Sequence, residues 1–480
     1  MNTVDHFLDK FFNPESIAMV GATNNPFKMN FQLTRNLVRL GFTGRIFPIN
    51  PHSEEILGLK AYPALTDLHE PVDLVVSAVP ALKTMGVMEQ CARKGVKNVV
   101  IISGGFSEGG DEGQELHKNI GAFARRNGIR VLGPNTLSPV NTSIRLAVSF
   151  NVIKKMQRGG LSFAFQSGFY DPKMNWIFSN LAVNKMMDMG NKVDINEVDA
   201  LEYFHKDPET EVIAMHIESL HGNARDFFNL LKTVSRRKPV IILKTGRTAA
   251  GSKAAASHTG ALAGENDGVF DGVLRQAGAI RAQNLEEFFE LAKAFQMLKP
   301  PRGPRLAIVT LSGGEGVMAT DSCEAHGLSF ARLDETTHGK LKRIFPKWEI
   351  PLNPFDAGIC MEFHLSDIGG FFDTMLAIPE DNNVDCTVMQ MPPTLLEAAG
   401  DGPEGGDDMA KAWNAQVVKS LIKMSGVGKP LILWNTSMGA EEHDMAVRLE
   451  SNSIPVFPSS ERAIKAVAAL NRYRTFCQGG

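Results

Sequence analysis

The chain has 480 residues, 43% of them apolar and 21% charged, a composition that excludes fibrous and disordered classes and fits about three domains of roughly 150 residues each. A formal net charge of -3 gives no global attraction to nucleic acid, and no uninterrupted apolar run reaches the ~18 residues a membrane span needs. The N-terminus, MNTVDHFLDKFFNPES, does not read as a signal peptide, and Cys91, Cys323, Cys360, Cys386 and Cys477 form no CxxC pair; a cytoplasmic enzyme with reduced thiols is the expectation, with a small molecule or another protein as its partner.

From Ser16 the segments SIAMVGA, RIFPIN, VDLVVSAVP, VKNVVIIS and IRVLGPN alternate with amphipathic stretches. That rhythm predicts βαβ units around a parallel sheet, in a domain ending between Asn135 and Arg145. SIAMVGA leads directly into TNNPFKMNFQLTRNLVRL. Gly21 there predicts a strand-to-helix turn whose amides can face a phosphate. The full GxGxxG is absent, and Asn50 stands where a dinucleotide fold places an acidic residue for the ribose, so NAD is disfavoured. Lys28, Arg35, Arg39 and Arg45 suit a ligand with several phosphates, such as coenzyme A, although for any single one of them ordinary solvated helix charge is the favoured account. The other strand ends, Ser77 to Pro80, Ile102 to Glu108 and Gly133 to Asn135, supply the remaining wall of a ligand crevice, or plain turn chemistry.

A second series, GLSFAFQSG, EVIAMHIES and KPVIILKTG, begins at Gly160 and ends in the helix NLEEFFELAKAFQML, with Asn284 as cap and Glu287 as capping-box partner. The segment Lys299 to Pro304 reads as a linker. A third series, RLAIVTLSGG, GLSFARLD, VDCTVMQMPP, KPLILWNTS and IPVFPSS, is again α/β in rhythm. Its acidic, glycine-rich stretch Ala399 to Asp408 is expected to be solvated and mobile.

The stretch KTGRTAAGSKAAASHTGALAG carries almost no bulky side chain after a strong strand, which lets His258 approach a ligand closely in a small-residue loop. A neutral imidazole attacks phosphorus through one ring nitrogen when the other donates its proton to an acceptor. Glu218, closing EVIAMHIES, is a candidate acceptor, or else the cap of the next helix. In FQSG, Ser167 and Gly168 follow a strand and are expected to open a helix whose amides stabilise a phosphoryl group, without metal ligands.

In this order, VGATNNP, SAVP, SGGFSE, GPNT, FQSG, GNKVDINEVDALEYF, IES, KPVIILKTGR and AAASHTGALAG resemble the α subunit of ADP-forming acyl-CoA synthetases, in the succinyl-CoA synthetase superfamily; LSGGEGVMATD and NPFD resemble its third domain. The resemblance implies an α/β fold: a Rossmann-like CoA-binding domain over residues 1–145, a flavodoxin-like ligase domain over 146–298 with the phosphohistidine, and a second ligase-like domain over 304–480. It implies conversion of a carboxylic acid, CoA and ATP to acyl-CoA, ADP and phosphate through an acyl phosphate. His258 would carry the phosphoryl group and Glu218 would steady it. Gly21, Ala22, Thr23, Asn24, Lys28, Asn50, Ala78, Val79, Pro80, Ser103, Gly104, Gly105 and Asn135 would hold CoA, and Gln166, Ser167, Gly168 and Gly260 the phosphate and substrate. With no ATP-grasp-like region in the chain, ATP and Mg2+ would sit on a separate ATP-grasp β subunit in an α2β2-type assembly, with no membrane or nucleic-acid partner.

Phe165, Phe169 and Tyr170 depart from the smaller residues of that pattern, and GPNTLSP lacks its usual cysteine and glycine; the aromatics either reshape the acyl pocket or pack in the core. Two rival activities share the fold: a CoA-binding regulatory or scaffold protein without catalysis, and an acyl or carbamoyl transferase that needs no phosphohistidine.

Overall fold

The computed structural model describes residues 4–259, 266–394, 406–436 and 439–479, with the backbone alone for 256–259, 406–409 and 441. The chain divides into two compact units, Met1–Phe288 and Phe289–Gly480.

The first unit holds two large sheets. In one, β1 (Ser16–Val20), β2 (Arg45–Ile49), β3 (Leu74–Ser77), β4 (Asn98–Ile101) and β5 (Arg130–Leu132) run parallel in the order β2-β1-β3-β4-β5. All of β1 is buried, as a strand covered on both faces must be. Ile17 and Met19 enter one apolar cluster while Ala18 and Val20 enter another, the two-residue period of a strand dividing its side chains between two cores.

The second sheet contains β6 (Val140–Asn141), β7 (Leu146–Ala147), β8 (Arg158–Phe165), β9 (Val183–Asp188), β10 (Val212–Ile217), β11 (Val240–Lys244) and β12 (Ile280–Ala282). Its order is β12-β11-β10-β8-β9-β6-β7, with β6 joining β9 antiparallel. In the second unit, β13 (Arg305–Thr310), β14 (Ser329–Phe330), β16 (Cys386–Gln390), β17 (Leu431–Trp434) and β18 (Val456–Phe457) take the order β14-β13-β16-β17-β18; the short β15 (Phe355–Asp356) also pairs with β13. Val309, Phe355, Val417 and Leu433 belong to this unit's own apolar cluster.

The parallel part of each sheet therefore has one winding: β1 lies between β2 and β3, β8 between β9 and β10 and, the short β15 aside, β13 between β14 and β16. With right-handed crossovers, reversing direction after the second strand puts helices on both faces. The reversal opens a crevice at the carboxyl ends of the first and third strands, where ligands of such folds bind. These crevices lie at Val20 and Ser77, at Phe165 and Ile217, and at Thr310 and Gln390.

Three local expectations change. Between β1 and the helix Phe31–Leu40 lies a turn-rich loop, so the first turn does not open straight into a helix. The small-residue segment before His258 is helical over Ala249–Thr259 rather than a loop. Residues 399–405 of the acidic stretch lie outside the described residues, and a helix Gly406–Ser425 takes in the remainder. At Leu285–Met297, Asn284 Oδ1 accepts from Glu287 N at 2.8 Å, but Glu287 Oε2 accepts from Gln283 N rather than from the cap residue itself. All five cysteines are free thiols, and no helix among the described residues is long and apolar enough to cross a membrane.

Candidate active site

The crevice of the first sheet is built around Gly21. Its φ of 87° is one that side-chain-bearing residues rarely adopt, and a Cβ there would lie 2.9 Å from the Ala78 carbonyl oxygen. Only glycine lets the turns after β1 and β3 come so close. Asn50 serves the same turn: its Nδ2 donates to Ala22 O at 2.7 Å and its Oδ1 accepts from His52 N, so its amide shapes the loop. Asn24 is likewise engaged, with Glu55 O and Leu57 N of the hairpin Glu55–Ile56/Leu59–Lys60. Thr23 Oγ1 accepts from Asn25 N.

Lys28 is exposed. Arg35 and Arg45 lie over the rings of Phe31 and Phe47. Ala78 N donates to Val20 O, Val79 is partly exposed, and Pro80 stands immediately before the helix Ala81–Lys94. Gly104 and Gly105 are exposed, while the Ser103 hydroxyl is buried without a partner. Asn135, at φ 61°, donates its N–H to Ser103 O. Such a rim of open glycines beside an orphan hydroxyl fits a ligand able to donate or accept a hydrogen bond.

In the second sheet Gln166 spans the crevice. Its side chain is buried; Oε1 accepts from Glu218 N at 2.8 Å and Ser219 N at 3.1 Å, and Nε2 donates to Ser219 Oγ. Three further groups grip the Glu218 turn. Lys244 Nζ donates to Glu218 O at 2.7 Å and Lys192 Nζ to Ser219 O at 2.6 Å, while Glu197 accepts from His221 N. Lys192 and Glu197 are themselves a buried ion pair at 3.0 Å. Glu218 does not cap the helix Ala224–Ser235, because Asn223 does, accepting from Arg225 N.

Ser167 precedes a 3-10 turn, Gly168–Lys173, not an α-helix; the α-helix follows at Met174–Asn180. Pro172 brings no N–H to this turn, and the Asp171 carboxylate is tied to Ser149 and Asn151. The aromatic departures separate into two groups. Phe165 and Tyr170 are fully buried and stack at 4.1 Å, so they are core. Phe169 is only partly buried and lies edge-on to His216 at 4.8 Å.

Two cavities meet at this turn. One, of about 370 Å³, is lined by Ile102 and Asn135 from the first sheet's strand ends and by Gln166, Ser167, Gly168, Phe169, Asp188 and Asn191 from the second. The other, of about 730 Å³, is lined by His216, Glu218 and the segment Lys244 to Thr248 with Gly251, and shares Ser167 and Phe169 with the first. His258 follows on the helix that begins at Ala249; its side chain and Gly260 lie outside the described residues.

Two groups in these walls escape the motif reading. Burial, then the nearby charges of Lys244 and Lys192, push the His216 imidazole down to about 3, so it is neutral; its Nε2 pairs with Thr245 Oγ1. Burial pushes the Asp188 carboxyl up to about 7, against hydrogen bonds from Gly190 N and Leu137 N. The sequence signal for Asp188 is one acid closing a buried strand, VNKMMD. Among the described residues no group of three or more His, Cys, Asp or Glu is arranged to hold a metal ion.

Comparison with known proteins follows this division. Residues 15–141 match a CoA binding domain, and residues 158–295 match a succinyl-CoA ligase like flavodoxin domain. The chain is 35% identical over 480 residues to the acetate–CoA ligase [ADP-forming] I subunit alpha of Pyrococcus furiosus, covering 97% of each. It is 33% identical to the acetate–CoA ligase [ADP-forming] II of Archaeoglobus fulgidus, covering 98% of this chain and 67% of that one. A solved Ca. Korarchaeum cryptofilum dinucleotide forming acetyl-coenzyme A synthetase 1, in complex with phosphate and ADP, superposes with a TM-score of 0.84 at 32% identity, covering 98% of this chain and 97% of that one.

Proposed function

Since this chain belongs to the ADP-forming acyl-CoA ligases, we propose that it joins a small carboxylic acid to CoA through an acyl phosphate, with His258 as the phosphoryl carrier. The observation that carries the reading is the pair of cavities with a common wall at Ser167 and Phe169. One is bounded by strand ends of the domain matching CoA binding. The other is bounded by Glu218 and the segment leading to His258. A phosphoryl group arriving on the histidine side crosses only that wall to reach an acid on the CoA side.

CoA is a substrate here, and its thiol supplies the nucleophile. Gly21 to Asn24, Asn50, Ala78 to Pro80, Ser103 to Gly105 and Asn135 shape or line its crevice, with Lys28 toward its phosphates. Gln166, Lys192, Glu197 and Lys244 fix the backbone of the Glu218 turn, which lets Glu218 accept the His258 ring proton and hold one tautomer. Ser167 and Gly168 face the transferred phosphoryl group. The working divisions are 1–145, 146–298 and 304–480.

About a third of the A. fulgidus relative lies outside the part this chain matches, whereas the P. furiosus relative named subunit alpha is matched almost end to end. A separate β subunit of the ATP-grasp class, carrying ATP and Mg2+ in an α2β2-type cytoplasmic complex, accounts for both. The test is acid-labile labelling from γ-radiolabelled ATP in the complex purified with its partner. Wild type takes up label that the acid plus CoA discharges, and His258→Ala takes up none. An unlabelled wild type refutes the carrier, and a labelled but acid-indifferent chain refutes the ligase.

A further inference from the structure

Thiolysis of an acyl phosphate needs somewhere for the thiol proton to go, and Glu218 is positioned in the other cavity. The cavity where CoA-domain strand ends meet Ser167 and Gly168 has one titratable side chain in its lining, Asp188. It ends β9, has no exposed surface, and lies beside Gly168: a Cβ built on Gly168 would be 3.7 Å from Asp188 Oδ2. Gly190 N donates to its Oδ1 at 3.0 Å and Leu137 N to its Oδ2 at 3.2 Å, which uses about half of the four lone-pair sites of a carboxylate. A Cβ at Gly190 would lie 2.1 Å from Pro134 O, so glycine there keeps the strand end pressed against the loop after β5. The buried Asn191 Oδ1, also in the lining, has no partner and is a second acceptor for a donor entering the cavity.

From this juxtaposition of a buried carboxylate with the wall shared by the two reacting halves, we propose that Asp188 is the general base for the CoA thiol. The inference rests on the ligase reading above. The S–H bond breaks and its proton passes to Asp188; the S–C bond forms as the bond from the acyl carbon to the phosphate-bearing oxygen breaks; the departing phosphate takes the proton back. Acyl phosphate and thiol thus become thioester and hydrogen phosphate, and Asp188 returns to the ionised form. A base whose carboxyl titrates near 7 is matched to this task at neutral pH. The charges it feels are those of Glu218 and Asp171, both of its own sign, and Tyr170, also packed beside it, stays protonated.

The experiment takes the full chain copurified with its partner and, from a panel of acids, the one that wild type converts fastest. Thioester formation is followed in single turnover from pH 5.5 to 9, alongside phosphohistidine label. Asp188→Asn is expected to keep the label within twofold of wild type and to lose about 100-fold or more in thioester formation, the scale of a positioned base. Wild type should plateau above about pH 7. The variant's residual rate should instead climb about tenfold per pH unit to the top of that range, since CoA's thiol lacks the flanking peptide groups of a cysteine and ionises above that side chain's value of about 8.5, a response that mere misfolding does not produce. Asp188→Ser, which removes the carboxyl altogether, must show the same climb. Variants within threefold of wild type, or sharing its plateau, overturn the inference. A wild type that takes label but forms no thioester with any acid overturns the ligase reading and this inference with it, and that arm is read before any variant.

Discussion

Asp188 carries a stability consequence that its catalytic use does not erase. Its carboxyl is raised from 3.8 to about 7 by burial in the fold, while in the unfolded chain it ionises near its ordinary value. Between about pH 4 and 7 the unfolded chain releases a proton the native chain keeps, so native stability falls as pH rises through that window and is level above it. Asp188→Asn should therefore match wild type in unfolding free energy from urea titration below pH 4 and exceed it increasingly toward pH 7, by on the order of 4 kcal/mol at most. Equal values at both ends of the range would mean that the carboxylate is solvated. Such a group is faintly legible in sequence. An acid closing the strand VNKMMD is out of place among buried methionines, yet nothing local says that Leu137 and Gly190 will enclose it. Glu218 was more legible because it closes a strand before a turn. What the sequence left open, an acceptor or a helix cap, is settled against the cap by Asn223.

Elements explain why the two reacting halves stay in register. Glu108 Oε1 accepts from Gly105 N at 2.7 Å in the loop after β4, and its Oε2 accepts from Asn191 in the loop after β9. Asn191 is followed by Lys192, which holds the Ser219 carbonyl. The loop after β4 and the Glu218 turn are thus joined by successive hydrogen bonds. Glu108→Ala and Asn191→Ala should each weaken CoA binding in calorimetry, and the double variant should fall short of the sum, with a coupling energy of about 1 kcal/mol or more, as expected for one shared bond. Additive losses would show that the two loops are held independently. The alternation of strands and helices that carries these loops is readable from apolar runs; the strand order is not, because it depends on pairings distant in sequence. The recurrence of one winding appears only in space. It even extends to a bridging glutamine: Gln166 Oε1 accepts from Glu218 N across the second crevice, and Gln390 Oε1 accepts from Leu311 N across the third.

For the molecule as a whole, three α/β series are visible in the sequence, whereas the structure packs them as two units, because Met1–Phe288 encloses two sheets that share an apolar cluster including Leu74, Leu132, Met187 and Ile213. That fusion places the CoA-side strand ends and the Ser167 turn around one cavity within a single unit. On the proposed mechanism, the groups that pass an acyl group from phosphate to thiol all belong to this chain, and the charging of His258 from ATP belongs to the partner. The purified chain alone, given CoA and the chemically prepared acyl phosphate of its acid, should form thioester at a rate within about tenfold of the complex; given ATP and free acid it should form none until the ATP-grasp subunit is added. Mass spectrometry of the thioester in both reactions checks the division. Thioester from ATP and free acid without a partner would place the nucleotide site on this chain. Loss of the acyl phosphate reaction in its absence would mean that the partner completes the cavity around Asp188.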